Sequence, residues 1–132
     1  MKAIPASDEV AGALLDKNTG KHGYVVANGL KFHYVENKGN DGTAEKSALV
    51  LFLHGFPEHW YSWRNQVKAI GSALGRKYHA VAIDCRGYGW TERPKKIDDY
   101  KIETLIEDVR CIIEKLGYLD KDVLLVGHDW GE

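Results

Sequence analysis

The stretch Val123-Leu124-Leu125-Val126-Gly127-His128-Asp129-Trp130-Gly131 places an acid between two glycines, directly after an apolar run. A short apolar run bounded by a turn signal predicts a buried β-strand. The flanking glycines allow a sharp strand-to-helix turn, a nucleophile elbow, in which the central side chain stands clear of the backbone. A carboxylate held in such a turn can attack carbon and form an ester, so Asp129 is the candidate nucleophile.

Composition limits the classes of protein to be considered. The 132 residues are enough for one domain, and 44% apolar with 28% charged residues is typical of a globular protein. A formal net charge of −1 gives no electrostatic reason to expect nucleic acid or an anionic membrane as a partner. No stretch approaches the ~20 apolar residues of a membrane span, and the amino terminus is polar rather than signal-like. We therefore expect a cytoplasmic protein with no membrane span.

The two cysteines, Cys85 and Cys111, lack the CxxC spacing of a metal site. We expect both to be reduced and buried, and we expect no metal or organic cofactor. A catalytic thiol is the alternative, and it would require an environment that stabilises the thiolate.

The amino-terminal part of the chain predicts a polar lead-in followed by a hairpin. Residues 1–21 are mixed and polar, and the domain is predicted to occupy residues 22–132. Two strand-like runs, 24–27 and 30–36, are separated by Asn28-Gly29, the strongest short-range signal for a two-residue hairpin. Residues 37–47 are rich in Gly, Asn, Asp and Lys and predict a solvated loop.

Three further strands and two helices follow. The runs 48–53 and 78–83 have no polar face, which is typical of strands covered on both sides in a parallel sheet, and 122–126 leads into the elbow. Apolar residues at helical spacing mark the two helices. The first carries Trp60, Trp63, Val67, Ile70 and Leu74 and is predicted to end near Gly75; the second carries Ile102, Leu105, Ile106, Val109, Ile112, Ile113 and Leu116, with Gly117 as its cap.

This order of elements predicts an α/β fold with a mostly parallel sheet, a leading antiparallel hairpin and flanking helices. The strand 122–126 is predicted to form an uncovered apolar edge. Such an edge could support self-association, or complementation by another chain.

The second candidate segment of the site is His54-Gly55-Phe56-Pro57, at the carboxyl end of the predicted central strand, where open α/β sheets place their sites. In an acyl-transfer site, this loop gives one backbone N–H to an oxyanion hole, and the residue after the nucleophile gives the other. Phe56 and Trp130 are the predicted donors, since Pro57 has no N–H. His54, Gly55 and Pro57 are predicted to line the site; alternatively, His54-Gly55 merely ends a strand, with His54 hydrogen-bonded in the core.

A weaker glycine-rich turn, residues 87–92, could suggest a nucleotide site. A dinucleotide fingerprint needs a third Gly or Ala where Glu92 stands, directly before a helix. The next predicted helix begins only at Ile102, so we interpret this segment as a turn at a strand end.

Three motifs together resemble the soluble epoxide hydrolases of the α/β-hydrolase superfamily: His54-Gly55-Phe56-Pro57-Glu58-His59-Trp60-Tyr61-Ser62-Trp63-Arg64, Asp84-Cys85-Arg86-Gly87-Tyr88-Gly89 and Gly127-His128-Asp129-Trp130-Gly131. Haloalkane and haloacetate dehalogenases also use an aspartate at the elbow and are the alternative within the superfamily. The run after His54 favours the epoxide hydrolases by resemblance.

The resemblance implies an enzyme that converts a small apolar epoxide to a vicinal diol. Asp129 would form the ester, with Phe56 and Trp130 as oxyanion donors. Tyrosines of a cap domain would assist the leaving oxygen, and a histidine oriented by a second acid would activate water. The family places those groups after the nucleophile, so we expect this chain to be the amino-terminal part of an enzyme, with little or no turnover alone, or a non-catalytic interaction product. Glu132 departs from the small residue usual in the family.

Overall fold

The computed structural model describes residue 16 and residues 18–39, 48–72 and 78–132. These residues form one five-stranded sheet in the order β1-β2-β4-β3-β5. The strands are β1 (Lys21–Ala27), β2 (Leu30–Asn37), β3 (Ala48–Leu53), β4 (Tyr78–Ile83) and β5 (Asp122–Gly127). The α-helices are α1 (Arg64–Ser72) and α2 (Ile102–Lys115), and short 3₁₀ helices span Trp60–Trp63, Ile97–Tyr100 and Asp129–Gly131.

The predicted hairpin is confirmed. Strands β1 and β2 are antiparallel and close with Ala27 opposite Leu30. Asn28 and Gly29 both have positive φ, 49° and 72°, which is the backbone that a two-residue type I′ turn requires. The strands extend beyond the predicted limits, because Lys21 opens β1 and Asn37 ends β2. Of the predicted lead-in and loop, residues 1–15, 17 and 40–47 lie outside the described residues.

Strand β3, which the sequence predicts to be central, is an inner strand beside the edge strand β5, and it has the predicted environment. All six residues of β3 are buried, and β3 runs parallel to both β4 and β5. Alternate side chains enter two apolar clusters, one on each face of the sheet. Phe52 joins the cluster under α1, and Leu51 joins the cluster under α2. Both faces of this strand are therefore covered, which explains why its sequence lacks a polar side.

Both predicted helices are present. The first begins as a 3₁₀ turn, in which Trp60 is fully buried, and continues as α1; its predicted end near Gly75 lies outside the described residues. Gly117 caps α2 with φ 86°, donating to the Glu114 carbonyl at 3.0 Å, while the Tyr118 N–H donates to the Ile113 carbonyl at 3.0 Å. These two bonds form a Schellman motif, which confirms the predicted role of Gly117.

Strand β5 lies at an edge of the sheet and, among the described residues, pairs only with β3. Leu124 and Leu125 are 51% and 56% exposed, on opposite faces of the strand. Ile102 and Ile106 of α2 are also exposed and line a cleft of about 580 Å³ beside the sheet. Among the described residues, this edge of the sheet therefore presents an exposed apolar surface. None of the helices in the described part of the chain has the length and apolar character of a membrane span.

Candidate active site

The elbow follows β5 as the sequence predicts. Gly127 ends the strand and Asp129 begins the 3₁₀ helix Asp129–Gly131. Asp129 has φ 58°, a left-handed conformation that costs a non-glycine residue strain energy. The turn is closed by the Gly131 N–H, which donates to the His128 carbonyl at 3.0 Å. A strained backbone held at a candidate nucleophile favours a functional rather than a purely structural turn.

The Asp129 carboxylate is held by backbone donors from two separate loops. The Phe56 N–H donates to its Oδ2 at 3.0 Å. This bond, and a second from the Trp130 backbone N–H, lower the pKa of Asp129 below its ordinary 3.8. The structure thus brings together the candidate nucleophile and the two predicted oxyanion donors, and Asp129 is ionised at neutral pH.

Glycine is required where the loop after β3 meets the elbow after β5, because the two loops are too close to leave room for a Cβ atom. A Cβ at Gly55 would lie 2.5 Å from the Asp129 Cβ and 2.9 Å from its Oδ2. A Cβ at Gly131 would overlap the Leu53 carbonyl, and one at Gly127 would overlap the Gly131 carbonyl. Gly55 and Gly131 therefore allow the close approach of the two loops, and Gly127 allows the tight turn of the elbow.

His54 is buried, 2% exposed, and both of its ring nitrogens are engaged. Its Nε2 accepts from the Cys85 N–H at 2.9 Å, so its Nδ1 carries the proton and donates to the Gly55 carbonyl at 2.9 Å. Burial lowers the pKa of His54, which keeps the ring neutral. His54 and Gly55 border the cleft described above. The cis peptide bond between Phe56 and Pro57 lies in the turn closed by the Glu58 N–H, which donates to the Gly55 carbonyl at 3.1 Å.

A contact between Glu58 and His128 was not foreseen from the sequence. The Glu58 Oε1 lies 3.3 Å from the His128 Nδ1, joining the loop after β3 to the residue before the nucleophile. Both residues stand within the motifs quoted above, but their approach depends on the parallel pairing of β3 and β5. The candidate site therefore has a polar contact beside the two backbone donors.

The alternative chemistries receive no support from the described residues. Both cysteines are free thiols, as expected, and both residues are only partly buried: Cys85 follows β4 at the sheet end, and Cys111 lies beside Glu107 on α2. Burial raises the pKa of Cys85 to about 12, so its thiolate is not formed at neutral pH. Among the described side chains, no group of three or more His, Cys, Asp or Glu is arranged to hold a metal ion.

The segment 87–92 is a turn at the end of β4, as the sequence interpretation has it. The Gly87 N–H donates to the Glu92 carbonyl at 3.1 Å, and the Trp90 N–H donates to the Asp84 Oδ2 at 3.0 Å. Gly89 packs against the Asp84 carboxyl group so closely that a Cβ there would overlap it. Gly89 therefore serves packing around Asp84, whereas Gly87 packs against the Tyr100 ring.

Replacing Gly55 with alanine should raise the pKa of Asp129 toward 3.8, because the new methyl group displaces the carboxylate from the Phe56 N–H. The crowding should also cost about 1–3 kcal/mol of folding stability. A ¹³C NMR titration of the Asp129 carboxyl group measures the pKa. The pKa of Asp129 is lower in the folded state than in the unfolded state. The Phe56–Asp129 hydrogen bond therefore stabilises the fold at pH values above the unfolded-state pKa, and this stabilisation is lost as the pH falls through the folded-state pKa.

Gly29→Ala is the control, since it lies in open space in the hairpin turn and strains only a positive φ. It should cost about 1–2 kcal/mol of stability and leave the pKa of Asp129 unchanged. An unaltered pKa of Asp129 in folded Gly55→Ala protein would contradict the assigned contact.

Comparison with known proteins agrees with this geometry. The sequence model of the alpha/beta hydrolase fold family matches residues 48–131. Epoxide hydrolase 3 of Xenopus tropicalis is 41% identical over 98% of this chain and 31% of its own length, and human epoxide hydrolase 4 is 43% identical over 96% of this chain and 33% of its own. The crystal structure of an epoxide hydrolase from Vigna radiata superposes with a TM-score of 0.74 at 45% identity, over 88% of this chain and 32% of that one.

The chain thus spans about a third of the length of these relatives. The family match covers more than half of the chain and includes both loops of the candidate site. On these grounds the chain belongs to the α/β-hydrolase fold family and, within it, to the epoxide hydrolase group.

Proposed function

We propose that this chain carries the nucleophile and the oxyanion hole of an epoxide hydrolase, which adds water to a small apolar epoxide to give a vicinal diol. The observation that supports this most is the Asp129 carboxylate held against the Phe56 and Trp130 N–H groups. A lowered pKa keeps the carboxylate in its attacking form. The relatives named above carry epoxide hydrolase names, which supports the choice of substrate class.

In the first step, an oxygen of Asp129 attacks a ring carbon of the epoxide. A carbon–oxygen bond of the ring breaks, and the departing oxygen takes a proton and becomes a hydroxyl group, which leaves a hydroxyalkyl ester on Asp129. By resemblance to the family, tyrosines of a cap domain would supply that proton. Asp129 is exposed among the residues that the structure describes, so an epoxide can reach its carboxylate.

In the second step, water attacks the ester carbonyl and the negative charge moves to the carbonyl oxygen. The Phe56 and Trp130 N–H groups are placed to stabilise that charge, since they already donate to the carboxylate from which the ester forms. Collapse of this intermediate releases the diol and restores the carboxylate. The same two donors therefore serve the ground state and the hydrolytic intermediate.

The second step also needs a general base that removes a proton from water. His54 cannot act as this base, because both ring nitrogens are committed to the Cys85 N–H and the Gly55 carbonyl. We propose that the base and its orienting acid lie outside these 132 residues in a complete enzyme. This chain alone should therefore form the ester and hydrolyse it slowly or not at all.

Incubation with styrene oxide, a small apolar epoxide, should give a covalent adduct whose added mass equals that of the epoxide. Intact-mass spectrometry detects it, and peptide mapping should place it on Asp129. Asp129→Asn should abolish the adduct, because a neutral amide is a poor nucleophile. Asp122→Asn, at the other end of the same strand, is the matched control and should leave the adduct yield unchanged. An equal yield in the Asp129→Asn variant would overturn the proposal.

A dehalogenase remains the runner-up, since the same carboxylate could displace halide from a haloalkane and form an equivalent ester. The two activities differ in what is released. Measuring free halide after incubation with a bromoalkane distinguishes them, because ring opening of an epoxide releases no halide. Halide release without any adduct from styrene oxide would favour the dehalogenase.

We propose, as a second property, that the β5 edge supports self-association of this chain. The support is the exposure of Leu124 and Leu125 on a strand that pairs only with β3 among the described residues. Sedimentation velocity should show concentration-dependent dimers, and Leu124→Lys with Leu125→Lys should reduce them, because lysine disfavours edge pairing. Ile97→Lys, at a residue that is 90% exposed outside this edge, is the control. A monomer at every concentration would contradict this property.

A further inference from the structure

One peptide unit joins the buried histidine of the candidate site to the first oxyanion donor. The Phe56 N–H, which donates to the Asp129 Oδ2 at 3.0 Å, belongs to the same peptide unit as the Gly55 carbonyl. That carbonyl accepts two hydrogen bonds, from the His54 Nδ1 at 2.9 Å and from the Glu58 N–H at 3.1 Å. In a planar trans peptide unit the N–H and the C=O point in opposite directions. Groups that hold the Gly55 carbonyl therefore also set the direction of the Phe56 N–H.

This peptide unit needs to be held because its first residue is glycine. A Cβ at position 55 would overlap the Asp129 side chain, so the site excludes every larger residue there. The same lack of a Cβ frees the backbone dihedral of Gly55 that rotates the peptide unit. The bond from the Glu58 N–H lies within the loop itself, whereas His54 directly follows β3 and is buried. His54 is therefore the contact that ties the Gly55 carbonyl to the sheet.

The His54 ring is fixed in the orientation and the tautomer that this contact requires. Its Nε2 accepts from the Cys85 N–H at 2.9 Å, and the Tyr88 ring lies edge-on to it at 5.0 Å and 72°. An accepting ring nitrogen carries no proton, so the proton of the neutral ring is on Nδ1. Burial lowers the pKa of His54 and disfavours the charged ring, in which an Nε2 proton would face the Cys85 N–H. The fold thus selects the tautomer that donates to the Gly55 carbonyl.

We propose that His54 is a positioning residue, whose Nδ1–H acts through the Gly55 carbonyl to hold the Phe56 N–H on the carboxylate that forms the ester. A hydrogen bond to the carbonyl oxygen of an amide also polarises the N–H of that amide and strengthens it as a donor. His54 does this without exchanging a proton, because both of its ring nitrogens stay engaged. The inference rests on the proposed function of the Phe56 N–H as an oxyanion donor.

Two substitutions separate the two hydrogen bonds of the His54 ring. His54→Asn places an amide nitrogen near the position of Nδ1, where it can donate to the Gly55 carbonyl, but its side chain is too short to reach the Cys85 N–H. His54→Gln places an amide oxygen near the position of Nε2, where it can accept from the Cys85 N–H, and leaves the Gly55 carbonyl without its side-chain donor. Each variant therefore keeps one bond of the ring and loses the other.

The readouts are hydrogen exchange of the Phe56 amide and the pKa of Asp129, both measured by NMR. In His54→Gln, the Phe56 amide should exchange about fivefold faster, the effect of losing one hydrogen bond of ordinary strength. The pKa of Asp129 should rise toward 3.8 in the same variant. In His54→Asn, both quantities should stay close to those of the unaltered protein. Equal changes in the two variants, or no change in either, would overturn the proposal.

His79→Gln is the matched control, since His79 is also buried with both ring nitrogens engaged, by Glu36 and by the Tyr118 hydroxyl. It should leave both readouts unchanged, and a shift of both as large as that in His54→Gln would contradict the proposal.

A measurement on the unaltered protein keeps the proposal testable if a variant fails to fold. Side-chain ¹⁵N–¹H spectra at neutral pH should show the His54 proton on Nδ1, and a proton on Nε2 would overturn the proposal. The styrene oxide adduct tests the proposed function separately, so either can fail without the other.

Discussion

The buried carboxylate of Asp84 is the interaction on which the candidate site most depends. It receives the Trp60 and Trp90 N–H groups and the His33 ring, and none of it is exposed. Burying a charge is unfavourable unless hydrogen bonds replace its hydration, so each of these contacts is strongly required. As a result, the segment between β3 and Trp60 is held at both ends, by the sheet on one side and by Asp84 on the other. The Phe56 N–H lies within this segment and is aimed at Asp129.

Close backbone packing supplies the second constraint. The glycines at positions 55 and 131 let the two loops approach until a Cβ would overlap the nucleophile or a carbonyl, and Gly127 lets the elbow close on Gly131. Within this packed turn Asp129 adopts a left-handed conformation, which costs strain energy in a residue other than glycine. Strain at the nucleophile is thus maintained by the sheet pairing of β3 with β5, and the pair of backbone donors is already in place before any substrate binds.

Much of the fold could be predicted from local sequence. Ala48–Leu53 has six apolar residues and is buried at all six, and Asn28-Gly29 forms the turn that its sequence demands. The elbow pattern pointed to Asp129 and Trp130, and the segment His54-Gly55-Phe56-Pro57 pointed to Phe56, whose N–H donates to the Asp129 carboxylate. The burial of the cysteines was harder to predict, since the exposure of Cys111 depends on which side of α2 contacts the sheet.

The polar networks could not be predicted. His22, His33 and Asp84 stand on three separate segments, and only the pairing of β1 with β2 and of β2 with β4 brings them together. Likewise, Arg86 makes two hydrogen bonds of 2.8 Å to Asp108 on α2, a contact that needs the helix to be docked. The sequence shows that these side chains are polar but not which of them contact one another. A sequence pattern predicts which face of a helix or strand is buried, but not which element packs against that face.

The central claim is that, in this chain by itself, the Asp129 carboxylate accepts hydrogen bonds from the Phe56 and Trp130 backbone N–H groups. The most direct test is to measure NMR scalar couplings across the hydrogen bonds, from the Phe56 and Trp130 amide nitrogens to the Asp129 carboxyl carbon. We expect both couplings to be detectable at neutral pH, where the carboxylate is ionised. Two amide groups that show no coupling and exchange freely with solvent would contradict the account.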